Sequence, residues 1–382
     1  MVVFIEDARN IDGKKVNVLI TENSYYENPE ERDKSDYVIN SSGRHLVCPG
    51  FNNAHTHLPM IVMRGYSENP VLEEWFEDIA RIEERMTPDT VYHATLAALV
   101  EAIRTGTTGI TTGYFFPESV YKASEKSGIY VSVGIPISDN PLVEFRSCDE
   151  AIKKAEDLLR RGEKSFDNSL VRYHLSPHSI YRCSRDTLMR VRELATRHGA
   201  AIHMHAAETR QECISCWDKT GYWPVEYLHS IGFLGEDVTL AHTAWLTKGE
   251  ISILRHTGTS VVHCPVSNMK LASGGVMPLV ELLSSGVHVF LGTDGPVTNN
   301  SLNMREEMKF AALVHKAHRW DPGATDARTV LEIATRDSMG YVLYDLTDIR
   351  MMPHHNLIDT VSYTHLRAHE TSLHLVCRLL LE

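Results

Sequence analysis

The alternation of apolar and polar positions changes character at about residue 50. Before it, "MVVFI", "KKVNVLI", "DYVIN" and "HLVCPG" are short runs rich in β-branched residues, separated by turn-rich polar segments. Such runs predict strands, and residues 1–50 read as the N-terminal part of a small β unit. Beyond residue 50 the pattern becomes strand then helix. Apolar strand candidates recur at "HLVCPGFNNAHTH", "GITTGYFF", "IYVSVGIPI", "LVRYHLSPH", "AAIHMHAAE", "VTLAHTAWL", "TSVVHCPVS" and "VHVFLGTDG". Between them lie helical segments such as "TPDTVYHATLAALVEAIRTG", "SRDTLMRVRELATRHG" and "VMPLVELLSSG". Several start at Ser, Thr or Pro and stop at Gly, as helix boundaries do. Eight strand-helix repeats predict a closed (β/α)8 TIM-type barrel over residues 51–340. Residues 341–361 return to strand-like apolar sequence and are expected to join the N-terminal strands in a small, incomplete β-sandwich unit.

Composition narrows the class without naming a partner. The chain has 382 residues, 43% hydrophobic and 23% charged, which suits an ordinary globular protein. A net charge of -12 argues against nucleic acid, whose phosphates call for a basic surface. No apolar stretch reaches the roughly 18 residues of a membrane helix, so no membrane partner is expected. The N-terminus lacks the pattern of a signal peptide. Seven cysteines form no recognisable disulfide framework, and a cytoplasmic location is the simpler expectation. "CISC" (Cys213 to Cys216) is a lone CxxC, weak as a metal knuckle.

Histidine is the unusual residue, at 21 copies, and its placement matters more than its number. In a strand, residues i and i+2 point to the same side. His55 and His57 in "NAHTH" therefore project together from one strand end. Strand four ends with His178. Strand five carries His203, His205 and Glu208. Strand six carries His242. Strand seven carries His263 and Asn268, and strand eight Asp294. A lone strand histidine is usually packed or hydrogen-bonded. Five consecutive strands with a histidine or carboxylate at the same end point instead to a metal site, at the barrel end where such folds carry their chemistry. His55, His57, His205 and Asp294 are the expected ligands of one divalent ion. Zn2+ suits nitrogen and carboxylate donors best, with Fe2+ or Mn2+ as alternatives. Such an ion supplies hydroxide from water near neutral pH.

The pieces "NAHTH", "HMHAAET", "LAHT", "HCPVSNMKLASG" and "LGTDGPVTNNSLNM" resemble the amidohydrolase superfamily over residues 40 to 340. The likeness is greatest to the branch of S-adenosylhomocysteine and methylthioadenosine deaminases, with triazine hydrolases nearby. "MRGYSENPVLEEWF" followed by "IEERM" is also typical of that branch. The resemblance implies hydrolytic deamination of an aminated purine nucleoside, with metal-bound hydroxide attacking the ring carbon and ammonia leaving. Asp294 would bind the metal and take the proton of the attacking water. Glu208 would protonate a ring nitrogen, and His242 would orient the hydroxide. No lysine ends strand four, so one metal is expected rather than two. For the substrate, the resemblance implies Glu83 at the ribose hydroxyls, His178 at the base, Trp75 as an apolar wall and Arg146 toward a carboxylate. Thr298 stands where a serine often follows the strand-eight aspartate. The branch often has an arginine at the end of strand three, where Ile135 stands here. Other heterocycles remain open as substrates: a guanine-type base, or a triazine losing chloride or amine. An inactive barrel kept for binding would have lost its ligands. Dimers and tetramers are common among relatives, so a homo-oligomer is compatible with the resemblance.

The end of the chain departs from that family. "ATRDSMG" runs directly into "YVLYDLTDIR" without the loop and strand that relatives place between. "SYTHLRAHETSLHLVCRLLLE" is similar to translated sequencing-adapter DNA, so residues 362–382 are expected to be non-native, with native sequence ending near Thr360 to Tyr363. His365, His369 and His374 are accordingly discounted as ligands. Missing strands predict exposed apolar surface beside the N-terminal strands and low stability.

Overall fold

The structure, a computed structural model, describes residues 2–21, 25–29, 35–68, 72–163, 170–347 and 357–363. The β-branched runs of the N-terminal segment form β1 (Val3–Arg9), β2 (Lys15–Ile20), β3 (Tyr25–Glu27), β4 (Tyr37–Asn40) and β5 (His45–Pro49). β1 and β2 pair antiparallel with Val3 opposite Ile20, and β4 runs parallel to β1. Val3, Ile5, Ala8, Val16, Val18 and Ile20 form a small core with Val47. On the open side, Tyr26 of β3 and Tyr37 and Val38 of β4 are exposed.

The expected first barrel strand, "HLVCPGFNNAHTH", is two strands. β5 stays with the small sheet, and β6 (Phe51–Thr56) enters the barrel. The break falls at Gly50, where a Cβ would stand 2.2 Å from the Thr108 hydroxyl. Only a glycine lets the chain turn this close to the neighbouring strand.

The barrel continues through β7 (Thr107–Gly113), β8 (Tyr130–Ile137), β9 (Val171–Pro177), β10 (Ile202–Ala206), β11 (Val238–His242), β12 (Ser260–His263) and β13 (Val289–Leu291). From β10 to β13 the strands are shorter than their apolar runs, because the last residues of those runs turn away as loops. All eight are parallel and lie in sequence order from β6 to β13. The ends meet where Thr56 bridges Asp294 in parallel fashion. The Asp294 N–H donates to the His55 carbonyl at 2.9 Å. Asn53 reinforces the seam, its amide donating to the Thr293 hydroxyl at 2.8 Å. Gly292 permits this approach, since a Cβ there would sit 2.9 Å from the His55 nitrogen.

Helices cover the outside and obey their caps. Thr87 caps the helix Pro88–Arg104, and Ser184 caps Arg185–His198, which ends at Gly199 with φ +60°. After the helix Ala327–Thr335, β14 (Tyr341–Asp345) pairs antiparallel with β5, Tyr341 opposite Pro49. "YVLYD" thus extends the small sheet. The helix Leu357–Tyr363 buries Leu357, Ile358 and Val361 against the main core, and the Ser362 hydroxyl donates to the Ala327 carbonyl at 3.1 Å. Residues 364–382, most of the segment expected to be non-native, lie outside the described residues.

Candidate active site

The site forms at the C-terminal ends of the barrel strands, where the backbone leaves ordinary strand geometry. Ala207, His242 and Asp294 have φ of +51°, +71° and +59°. Left-handed non-glycine residues cost about 1–3 kcal/mol each and persist only where surrounding structure enforces them. Here they bend three strand ends so that adjacent side chains turn inward.

Three imidazoles are held by their Nδ1 atoms. His57 Nδ1 donates to the Gly113 carbonyl at 2.6 Å, and His205 Nδ1 donates to the His178 carbonyl at 2.7 Å. His55 Nδ1 lies 2.8 Å from His203 Nε2. A carbonyl can only accept, so the rings of His57 and His205 keep their protons on Nδ1 and leave Nε2 bare. Those two bare nitrogens face each other at 3.3 Å. His55 Nε2 is buried and has no hydrogen-bond partner. Asp294 Oδ1 lies 3.4 Å from Nε2 of both His55 and His57. Lone pairs converging without hydrogens between them repel unless a cation lies among them. Donors about 2.0–2.1 Å from tetrahedral zinc stand about 3.3–3.4 Å apart. The residues therefore fit a divalent ion in spacing, tautomer and charge.

Electrostatics agree with that reading. Burial brings the His55 pKa down to about 4, so the ring is neutral, the form that ligates. Burial likewise lowers His203 and His205 well below the usual range. Burial works to raise Asp294, but the surrounding imidazoles hold its carboxyl well below the usual carboxylate range. Its other oxygen, Oδ2, accepts from the Ser267 hydroxyl at 2.6 Å and the Thr298 hydroxyl at 2.9 Å. His242 joins a second tight group with His55 and Asp294.

Glu208 follows the bend at Ala207 and is buried, which raises its pKa. Its Oε2 lies 3.9 Å from His242 Nε2. The bend is clasped from below by Glu212, whose two carboxylate oxygens accept the backbone N–H groups of Ala207 at 3.1 Å and Glu208 at 2.9 Å.

One cavity is lined by His57, His205, Glu208, His242 and Asp294 together with Glu83, Trp75, His178 and Thr298. Arg146 is exposed and outside that lining; its backbone N–H donates to Glu150 at 2.8 Å. Arg182 lines the cavity instead, on the turn after His178. Pro136 and Ile137 of β8 line it, while Ile135 is fully buried in the core. Burial brings the His178 pKa down to about 3, so its ring is neutral. Burial raises Glu83, and the Tyr114 hydroxyl donates to its carboxylate at 2.8 Å.

Sequence reasoning missed Glu212, Ser267, Tyr114 and Arg182. Only Glu212 carried a local signal, as the fourth residue of "TRQE", a helix-start pattern. Thr209 does accept the Glu212 N–H at 3.1 Å, but the carboxylate serves the active-site bend rather than the cap. Cys213 and Cys216 are buried in the helix Arg210–Thr220 and join no metal-binding group among the described residues.

The Amidohydrolase family profile matches residues 46–339. The chain belongs to the Amidohydrolase family. It is 40% identical over 336 residues to 5-methylthioadenosine/S-adenosylhomocysteine deaminase of Thermococcus kodakarensis, covering 86% of this chain and 77% of that protein. It is 37% identical over 353 residues to 5'-deoxyadenosine deaminase of Methanopyrus kandleri, covering 88% of this chain and 81% of that protein. Among solved structures, an adenosine deaminase from Xanthomonas campestris with bound zinc superposes with a TM-score of 0.87 at 28% identity, covering 95% of this chain and 88% of that one. Among the described residues, no helix is long and apolar enough to cross a membrane.

Proposed function

We propose that this amidohydrolase deaminates an adenosine-type nucleoside by hydrolysis, with one divalent ion, zinc, held by His55, His57, His205 and Asp294. The observation that carries the reading is Glu208, a buried carboxyl whose pKa is raised by that burial, on the wall of the cavity that the ligand cluster also lines. Deaminase relatives at 37–41% identity and the zinc in the Xanthomonas campestris enzyme support it.

The ion, when bound, makes water nucleophilic near neutral pH. Asp294 accepts a proton of that water at Oδ1, because Oδ2 is occupied by Ser267 and Thr298. Glu208, whose hold on a proton burial strengthens, gives that proton to the ring nitrogen beside the attacked carbon. The water oxygen bonds to that carbon. Asp294 then passes its proton to the amino group, the carbon–nitrogen bond breaks and ammonia leaves. The proton remaining on the new oxygen returns to Glu208, which restores the starting state. His242 orients the oxygen from the other side. Glu83, braced by Tyr114, accepts ribose hydroxyls, while Trp75 and His178 bracket the base. Six free cysteines among the described residues fit a reducing cytoplasm.

The test is ammonia release by the zinc-loaded protein from S-adenosylhomocysteine, methylthioadenosine, 5'-deoxyadenosine, adenosine, guanine and an aminotriazine, beside Glu208→Gln. Release from the adenosine compounds, lost in the variant, is the expected result. Turnover of guanine or the triazine alone overturns the nucleoside reading.

A further inference from the structure

Asn268 of the strand-seven motif has no part in the scheme so far. It lies in the helix Pro265–Lys270 and is buried. Its Nδ2 stands 3.2 Å from His242 Nδ1 and 3.4 Å from the Ser273 hydroxyl. Its Oδ1 is buried and has no hydrogen-bond partner. The backbone on both sides is pinned: the Asn268 N–H donates to the Cys264 carbonyl at 3.1 Å, and its carbonyl accepts the Ser273 N–H at 3.0 Å.

An amide nitrogen donates and never accepts. The His242 nitrogen facing it must therefore be bare, and a neutral ring then carries its proton on Nε2. Turning the amide over would satisfy Oδ1 but strand two N–H groups where one carbonyl is stranded now. Orphaned buried N–H groups are the rarer and costlier defect. The observed orientation is the better of the two.

We infer that Asn268 is a positioning residue that sets the tautomer of His242, keeping the ring proton on Nε2, on the side of Glu208 and the cavity. The three ligand histidines then stand apart from their neighbour. Backbone carbonyls hold His57 and His205 with the proton on Nδ1, which bares Nε2 for a cation. Asn268 imposes the opposite tautomer on His242 and so withholds Nε2 from ligation. This separates two roles within a cluster whose spacing alone admits His242 as a ligand. An Nε2–H group can donate to the oxygen of the attacking water and to the developing oxyanion, and a bare Nε2 would repel both.

The kinetic consequence rests on the deaminase reading; the tautomer does not. The probe is the 15N signature of the His242 ring in the zinc-loaded protein, assigned by comparison with His242→Gln. A bare Nδ1 and protonated Nε2 are expected. In Asn268→Asp the carboxylate accepts from Nδ1 and the pattern should reverse. With whichever nucleoside the protein turns over, kcat should fall on the order of 10- to 100-fold, the usual effect of an outer-shell partner, with KM within about threefold. Asn268→Ala should fall between, and Ser273→Ala, which removes only the amide's other partner, should keep kcat within about twofold. A protonated Nδ1 in the wild-type protein overturns the inference, as does a folded Asn268→Asp with unchanged kcat. If no nucleoside is turned over, the function fails but the 15N measurement still decides the tautomer.

Discussion

Glu212 offers the sharpest test of how the fold aims its chemistry. Replace it with alanine, and the backbone N–H groups of Ala207 and Glu208 lose their acceptors at 3.1 and 2.9 Å. Both groups belong to buried residues, 0% and 6% exposed, so water cannot readily take over. An unsatisfied buried donor costs about 1–3 kcal/mol, which makes about 2–6 kcal/mol for the pair. Ala207, at φ +51°, is then no longer held in its left-handed bend, which itself stores about 1–3 kcal/mol. Relaxing the bend recovers part of the loss but swings Glu208 away from His242. Stability and catalysis should therefore fall together, although Glu212 lines neither the cavity nor the ligand cluster. Glu212→Gln keeps the shape and one acceptor, so about half the stability loss is expected. Urea unfolding at pH 7.5 gives the first quantity, and steady-state ammonia release the second. A loss below about 0.5 kcal/mol in Glu212→Ala, the scatter of neutral surface changes, would falsify the clasp. So would full kcat in a destabilised protein, because the carboxylate would then stabilise the loop without directing Glu208.

Further outcomes follow from the same geometry. His203→Leu removes the partner of His55 Nδ1 and should weaken zinc binding about 10- to 100-fold in a chelator competition, while His203→Gln, whose carbonyl reaches a similar place, should recover part of it. Unaltered zinc affinity in the leucine variant would show that His203 only fills space. Tyr114→Phe takes away the hydroxyl that braces Glu83, so KM for nucleosides should rise about 3- to 10-fold with kcat little changed; an equal rise for a free base would remove Glu83 from the ribose. Burial brings the Glu307 pKa from the ordinary 4.5 up to about 8, against the amide of Asn299, which donates to it. The folded chain thus holds this proton longer than the unfolded one. The contribution is complete below pH 4.5 and is lost as pH rises through about 8. Glu307→Gln should flatten the decline in stability between about pH 4.5 and 8, and a decline as steep as the wild type's would assign it to other groups.

The barrel and the ligand cluster could be read from the chain because both obey local rules. A parallel strand buried on both faces must be an apolar run, and a helix must start at a cap and stop at a glycine. Candidate ligands lie at strand ends, so His55, His57, His205 and Asp294 stood out by register, and the fold brings their side chains together. Glu208 and His242 did so through the family motifs. Where the rule is local but two elements abut, the pattern blurs: "HLVCPGFNNAHTH" is continuous in hydropathy, and the division falls at Gly50, whose approach to Thr108 leaves no room for a Cβ. Tertiary structure alone decided the rest. Nothing in the spacing of Glu83 and Tyr114, 31 residues apart, says that they touch, nor that Arg182 rather than Arg146 reaches the cavity. The tautomers depend on which carbonyl or amide happens to face each ring. The sequence determines which groups exist and on which side of a strand they lie; which atom of each group meets which partner is set by strand closure and loop bends, long-range packing that no local pattern encodes.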